Sequence, residues 1–189
     1  MNLPNALTLF RILLVPAFLI AVIYGCLATA LVLFITAGMT DLLDGVLARR
    51  YGHETILGSF LDPVADKLLM TVSFISLAVI GLLPPWLGVL AVSKDLFVVI
   101  GTAVLYFSGQ PVAAVPTLWG KQTTFLQIVT VALALLLAGA ERWGGVLGPL
   151  FVVTAVVTAF SGLHYIISGI RSLPPEPTAE VPGKKPDNP

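Results

Sequence analysis

The sequence DLLDGVLAR occupies residues 41–49, and GSFLDPVAD follows at residues 58–66. Together the two stretches hold four of the six aspartates of the chain within 26 positions, although charged residues make up only 11% of the sequence. A charged side chain at the centre of a membrane helix costs about 2.5–3.5 kcal/mol on insertion scales. Four carboxylates in such an apolar chain therefore require a cation to compensate them.

The composition indicates an integral membrane protein. Of the 189 residues, 57% are hydrophobic and the mean hydropathy is +0.99, whereas soluble domains contain about 45–50% apolar residues. With about 20 residues per span, this length accommodates roughly six helices in one domain. The net charge is zero, so nothing points to a nucleic-acid partner. Cys26 is the single cysteine, which excludes an internal disulfide, and it is expected to be a small buried apolar residue.

The apolar segments predict an all-α, polytopic membrane fold with six transmembrane helices. Residues 1–172 form the membrane domain, and residues 173–189 form a proline-rich tail, which is predicted to be disordered because it has few apolar side chains. The predicted spans are residues 7–25, 28–50, 60–82, 86–107, 118–139 and 146–171.

The basic residues predict that both termini are cytoplasmic in a bacterial-type inner membrane, because cytoplasmic loops are enriched in Lys and Arg. The basic residues concerned lie at the end of the second span, at the start of the fifth, and at or after the end of the sixth: Arg49, Arg50, Lys121, Arg171, Lys184 and Lys185. The first span is expected to be retained, since Tyr24 before Gly25 fits a lipoprotein cleavage site poorly. The four aspartates then lie at the cytoplasmic end of the second and third spans.

The aspartate spacing suits a shared ligand. On a helix, positions 41, 44, 45 and 48 share one face, and 62 and 66 share a face of the next helix. Oxygen ligands favour Mg²⁺ or Mn²⁺ over zinc. Four carboxylates can hold two such ions about 3.5–4 Å apart, an arrangement that polarises a phosphoryl group.

The residues between the aspartates suit a phosphate-containing ligand. Gly45, Ala48 and Gly58 are small and leave room for a ligand to approach the backbone. Arg49 offers a planar fork of donors that fits a pyrophosphate.

The pattern Asp-x2-Asp-Gly-x2-Ala-Arg-x8-Gly-x3-Asp-x3-Asp, filled here from Asp41 to Asp66 without a departure, resembles the signature of the CDP-alcohol phosphotransferases. The resemblance runs from about Asn2 to Arg171. It implies six membrane helices around a polar cavity that faces the cytoplasm. It also implies transfer of a phosphatidyl group from CDP-diacylglycerol to an alcohol, with release of CMP.

The resemblance also implies roles for individual residues. Asp41, Asp44, Asp62 and Asp66 would bind the divalent metals, and Asp66 would also be the base that takes the proton from the acceptor hydroxyl. CDP-diacylglycerol would be bound by Gly45, Ala48, Gly58 and Arg49, with Arg49 on the diphosphate. Members of the family are commonly homodimers, and Gly162 and Gly169 would permit close helix contact.

The acceptor alcohol is open between two main alternatives, with inositol phosphate and serine ranked behind them. The segments around Asn2–Arg11, Leu61–Lys67 and Gly120–Thr124 resemble phosphatidylglycerophosphate synthases, which use glycerol 3-phosphate, and also the cardiolipin synthases of this family, which use phosphatidylglycerol. Lys94-Asp95 and Thr102 stand where the first group usually has Arg-Glu and a further Arg, which weakens that reading. Glycerol 3-phosphate is still ranked first, because four cations could neutralise its phosphate: Lys67, Lys94, Lys121 and Arg11.

Two other classes of protein use similar residues. A membrane prenyltransferase also has aspartate-rich helical motifs, but in well-separated helices of a longer chain. A cation transporter places carboxylates near the bilayer midplane on broken or repeated helices, whereas these aspartates lie near one surface. His164 is expected to be a hydrogen-bonded packing residue, and His53 is expected to face water in the cytoplasmic loop. Trp86, Trp119 and Trp143 are expected to be interfacial anchors.

Overall fold

The computed structural model describes the backbone of residues 3–51, 56–107, 118–138 and 143–171, and the side chains of residues 7–40, 64–103, 120–138, 145 and 147–168. Within these ranges the chain forms six helices and no strand, which confirms the all-α prediction. All helix ends lie within four residues of the predicted ones. The predicted tail and His53 lie outside the described ranges. The helices are α1 (Leu3–Ile23), α2 (Leu27–Tyr51), α3 (Ile56–Val79), α4 (Pro85–Phe107), α5 (Leu118–Leu136) and α6 (Trp143–Arg171).

Glycines end two of these helices. Gly25 after α1 has φ +71° and Gly81 after α3 has φ +79°, a left-handed conformation that suits glycine. Two backbone hydrogen bonds close the last turn of each helix. After α1, the amide of Cys26 donates to the carbonyl of Ala21 at 2.8 Å and that of Gly25 to Val22 at 3.0 Å; after α3, the amide of Leu82 donates to Leu77 at 2.9 Å and that of Gly81 to Ala78 at 3.2 Å. These are Schellman motifs, which stop the helix and reverse the chain within a few residues.

The six helices contact one another in a closed circuit, in the order α1, α2, α5, α6, α4, α3 and back to α1. In addition, α3 contacts α2 and α5 across the circuit. Helix α3 therefore contacts four of the other helices, and residues on its inner side are held from several directions.

An apolar core joins the helices. The rings of Phe18 in α1 and Phe34 in α2 pack at a centroid distance of 6.0 Å, a favourable separation for an aromatic pair. Fully buried side chains from α3, α4 and α5 extend the same cluster, among them Leu77, Leu87 and Val131. This packing fixes the relative positions of the helices.

The outer surface of the bundle is also apolar. Large hydrophobic side chains are exposed on every helix, including Leu13, Val32, Val89, Phe125 and Leu163. Two segments, Pro85–Ala103 and Leu147–Ser168, are long and apolar enough to cross a membrane, and three shorter apolar segments lie in α1, α2 and α5. Extended apolar surface of this kind is uncommon on soluble monomers.

The expectation that Cys26 is buried is wrong. Its side chain is exposed, because the residue directly follows the left-handed Gly25 in the turn between α1 and α2. An apolar run in a chain of this composition does not report burial within the protein, since the outer face of the bundle is apolar as well.

Helices α5 and α6 are joined by a buried polar seam. The hydroxyl of Thr130 donates to the carbonyl of Leu126 at 2.7 Å, so it accepts a hydrogen bond from Thr154, also at 2.7 Å. One turn away, the Gln127 amide donates to the Thr158 hydroxyl at 3.4 Å. Hydrogen bonds between helices are a recurrent means of association in membrane bundles.

Replacement of Thr130 or Thr154 by Val tests this seam. We expect each single variant to lower the free energy of unfolding by about 1 kcal/mol, and the double variant to show a coupling of about 0.6 kcal/mol between the two sites. Unfolding of the protein in detergent measures both values. Thr29→Val, at an exposed position, is the matched control, and fully additive losses would contradict the pairing.

Candidate functional site

The two aspartate stretches lie on two helices that contact each other. Asp41, Asp44, Gly45, Ala48 and Arg49 belong to the last part of α2, and Gly58, Asp62 and Asp66 belong to the first part of α3. Helix α1 packs against both. The helical conformation on which the spacing argument depends is therefore present at both stretches. The side chains of residues 41–63 lie outside the described set.

Asp66 is the one predicted metal ligand whose side chain is described. It is half-buried in α3, and its carboxylate acts electrostatically on the ammonium group of Lys94 in α4. A carboxylate in this setting is partly desolvated but still reachable. Such a group can serve as a metal ligand or as a base.

Next to Asp66, two lysines share one carboxylate. Lys67 Nζ donates to Asp95 Oδ1 at 2.9 Å, and Lys94 Nζ lies 2.8 Å from the same oxygen. We call this group the Lys67–Asp95–Lys94 cluster. It joins the helix that carries Asp66 to helix α4. Asp95 is not among the residues predicted for the site, although an adjacent acid and base within an apolar helix is a signal for a buried ion pair.

The two lysines of the cluster differ in accessibility. The Lys94 side chain is 7% exposed, whereas that of Lys67 is 31% exposed. Since an ammonium group has three donors, Lys67 can bond Asp95 and still reach a ligand. Of the two, Lys67 is the better candidate for direct contact with an acceptor.

The other two predicted acceptor residues lie on other helices. Arg11 is buried in α1, which packs against α2 and α3. Lys121 is exposed near the start of α5. The described contacts bring together Lys67, Lys94 and Asp95, with Asp66 one residue before Lys67, and they do not show Lys121 joining that group.

Helix α6 closes over Lys94. A Cβ atom built on Gly162 would lie 3.1 Å from Lys94 Cγ, so the glycine permits the close approach of α6 to α4. Gly162 is predicted above to permit close helix contact in a homodimer; the contact that the structure gives it is with Lys94 of the same chain.

A second polar contact between α4 and α6 lies further along the same helices. The hydroxyls of Thr102 and Tyr165 share a hydrogen bond of 2.5 Å. Both hydroxyls also lie within hydrogen-bond distance of the Val98 carbonyl, at 2.8 Å and 3.4 Å. The neighbouring His164 is half-buried, and its Nδ1 is buried with no hydrogen-bond partner among the described residues. Thr102 thus has a packing role between the two helices.

The sequence model of the CDP-alcohol phosphatidyltransferase family matches residues 1–161. The match covers all eight fixed positions of the aspartate pattern, and it also includes the Lys67–Asp95–Lys94 cluster.

Curated relatives carry two kinds of name. A "probable phosphatidylglycerophosphate synthase" of Mycobacterium tuberculosis is 39% identical over 176 residues, which cover 89% of this chain and 78% of the relative. A "CDP-diacylglycerol--glycerol-3-phosphate 3-phosphatidyltransferase" of Shigella flexneri is 36% identical, covering 87% of this chain and 93% of the relative. A "probable cardiolipin synthase (CMP-forming)" of Drosophila melanogaster is also 36% identical, with 89% of this chain and 58% of the relative covered.

Addition of a methyl group at Gly162 tests the approach of α6 to Lys94. We expect Gly162→Ala to lower the free energy of unfolding by about 1 kcal/mol, because the Lys94 chain must move to make room. In a Lys94→Ala background, which lacks Cγ, the same change should cost nothing. Thermal unfolding of the four proteins gives the comparison, and an equal cost in both backgrounds would contradict the contact.

Proposed function

This chain belongs to the CDP-alcohol phosphatidyltransferase family, and we propose that it transfers a phosphatidyl group from CDP-diacylglycerol to the hydroxyl of an alcohol acceptor. The observation that carries the proposal is the complete aspartate pattern on two contacting helices, with the half-buried Asp66 beside a cluster that contains an accessible lysine. The enzyme is a transferase of phospholipid biosynthesis.

The reaction replaces the phosphoanhydride bond of CDP-diacylglycerol with a phosphodiester bond to the acceptor. The acceptor oxygen attacks the phosphorus of the phosphatidyl group, the bond from that phosphorus to the CMP oxygen breaks, and CMP leaves. The acceptor gives up its hydroxyl proton. Positioning and charge neutralisation supply most of what such a transfer needs.

Asp66 is the proposed base for that proton. Its half-buried position in α3 supports this role, because a partly desolvated carboxylate in reach of a hydroxyl can accept a proton in the transition state. A base of this kind contributes roughly 10²–10⁴-fold to the rate.

A divalent metal fits the donor set. Members of the family generally depend on one, and the proposed ligands Asp41, Asp44, Asp62 and Asp66 supply only carboxylate oxygens, which suit Mg²⁺ or Mn²⁺ and could hold two ions. When bound, such ions neutralise the diphosphate and stabilise the charge on the leaving CMP. Gly45, Ala48 and Gly58 are proposed to admit CDP-diacylglycerol to the helix surfaces, with Arg49 on its diphosphate.

Glycerol 3-phosphate is the proposed acceptor, giving phosphatidylglycerophosphate. The accessible ammonium of Lys67 next to Asp66 supports an acceptor that carries a phosphate. Phosphatidylglycerol, the acceptor of a cardiolipin synthase, is the second candidate. It is favoured by the Drosophila relative and by the Lys67–Asp95–Lys94 cluster, whose excess of one positive charge matches the singly charged phosphodiester of phosphatidylglycerol.

The proposed setting is a bacterial-type inner membrane that all six helices cross, with both termini cytoplasmic. The exposed apolar side chains on every helix support contact with lipid, and the basic residues support the orientation. The membrane domain would end at residue 172, before a disordered tail. A homodimer is proposed only because members of the family are commonly homodimers.

Release of CMP tests the proposed function. Purified protein is incubated with CDP-diacylglycerol and Mg²⁺ or Mn²⁺, and glycerol 3-phosphate, phosphatidylglycerol, inositol 1-phosphate and serine are compared as acceptors. Release stimulated by glycerol 3-phosphate is the expected result, and stimulation by phosphatidylglycerol alone would identify the second candidate. No release with any acceptor, in protein shown to be folded, would contradict the function.

The role of Asp66 has its own test. We expect Asp66→Asn to lower kcat at least a hundredfold, because the amide cannot accept the proton, while CDP-diacylglycerol still binds. Binding is followed by protection against thermal unfolding. Near-normal turnover in this variant would show that another group is the base.

A further inference from the structure

We propose that Asp95 is a positioning residue, which holds Lys67 beside Asp66 so that the Lys67 ammonium binds the phosphate of a glyceryl phosphate acceptor. The inference rests on the proposed function and adds a residue outside the aspartate pattern. Both candidate acceptors have the chemistry that this arrangement fits, since each presents a glycerol unit with a reacting hydroxyl at one end and a phosphate at the other.

The geometry of the cluster fixes Lys67 from one side. Asp95 Oδ1 is 2.9 Å from Lys67 Nζ, and the carboxylate itself is anchored in α4, where its side chain is 10% exposed. A lysine has four rotatable side-chain bonds and loses much rotamer freedom when it is held in place. A buried carboxylate that accepts a hydrogen bond from one of the three N–H donors already restricts the lysine, so less rotamer freedom is lost when a ligand binds.

The unequal burial of the two lysines points to a role beyond packing. The buried Lys94 already lies 2.8 Å from Asp95 and interacts electrostatically with Asp66. Helix α4 therefore supplies a counter-ion for Asp95 without Lys67. Lys67 adds a second ammonium group to the same oxygen and keeps 31% of its side chain exposed. Two cations on one carboxylate leave an excess positive charge, and the accessible member of the pair is the one next to the proposed base.

The position of Lys67 in the sequence supports the pairing of roles. Lys67 directly follows Asp66 in α3, so the phosphate-binding group and the proposed base are carried by the same helix. Asp95 holds the Lys67 ammonium group from the neighbouring helix α4.

The test is a comparison of KM and kcat in Asp95 variants, measured with whichever of glycerol 3-phosphate and phosphatidylglycerol the wild-type protein uses. We expect Asp95→Asn to raise the acceptor KM about tenfold, as expected for the loss of a charge-assisted hydrogen bond, with kcat and the KM for CDP-diacylglycerol within about twofold of wild type. Asp95→Glu, which keeps the charge, should recover part of the loss. Adding Asp95→Asn to Lys67→Gln should raise the acceptor KM no further, because both changes remove the same interaction.

Tyr165→Phe is the matched control. It removes a polar contact between α4 and α6, the hydrogen bond to Thr102, without touching the cluster, and its acceptor KM should equal that of wild type. An unchanged acceptor KM in Asp95→Asn, or an equal rise in Tyr165→Phe, would overturn the inference. A wild-type protein that releases no CMP would instead contradict the proposed function.

A second pair of variants covers the case in which Asp95→Asn does not fold because Lys94 loses its counter-ion. Lys94→Met removes that buried charge, and Asp95 still holds Lys67. If the inference is right, adding Asp95→Asn to Lys94→Met raises the acceptor KM again by about tenfold. Equal KM values for the Lys94→Met single and double variants would overturn it.

Discussion

The cost of burying charge in an apolar helix bundle is the constraint on which this structure depends. Each ionised side chain within the bundle has to find a partner or a ligand. Lys94 is met by Asp95, and α6 can close over it because residue 162 is a glycine. The carboxylates at the end of α2 and the start of α3 outnumber the cations near them in sequence. In the proposed function, divalent ions compensate the charge of these carboxylates and of the diphosphate substrate.

The same constraint explains how the fold serves the chemistry. Helix α3 contacts four other helices, so the residues at its start are carried on a well-supported element. Asp66 and Lys67 are consecutive on it, and Asp95 ties this helix to α4. A phosphoryl transfer that relies on positioning benefits from groups placed on rigid helices rather than on loops.

Much of this architecture could be predicted from the sequence, because the strongest signals were local. Apolar run length gave the number of helices, and Gly25 and Gly81 lie at turns where only a left-handed residue closes the helix. The burial of individual side chains could not be predicted, because the outer face of this bundle is as apolar as its core. Cys26 lies in an apolar run and is nevertheless exposed, in the turn after Gly25. The sharing of Asp95 by lysines 27 positions apart depends on the packing of α3 against α4, which no local pattern reports.

In the proposed reaction an acceptor hydroxyl attacks the phosphatidyl phosphorus and displaces CMP. This step can be followed by mass spectrometry of the products formed from CDP-diacylglycerol and glycerol 3-phosphate labelled with ¹⁸O in its primary hydroxyl. We expect the label in the new phosphodiester of phosphatidylglycerophosphate and none in CMP. Phosphatidic acid with unlabelled CMP would show hydrolysis, and label in a CMP ester would show attack at the other phosphorus; either result would rule out the proposed reaction.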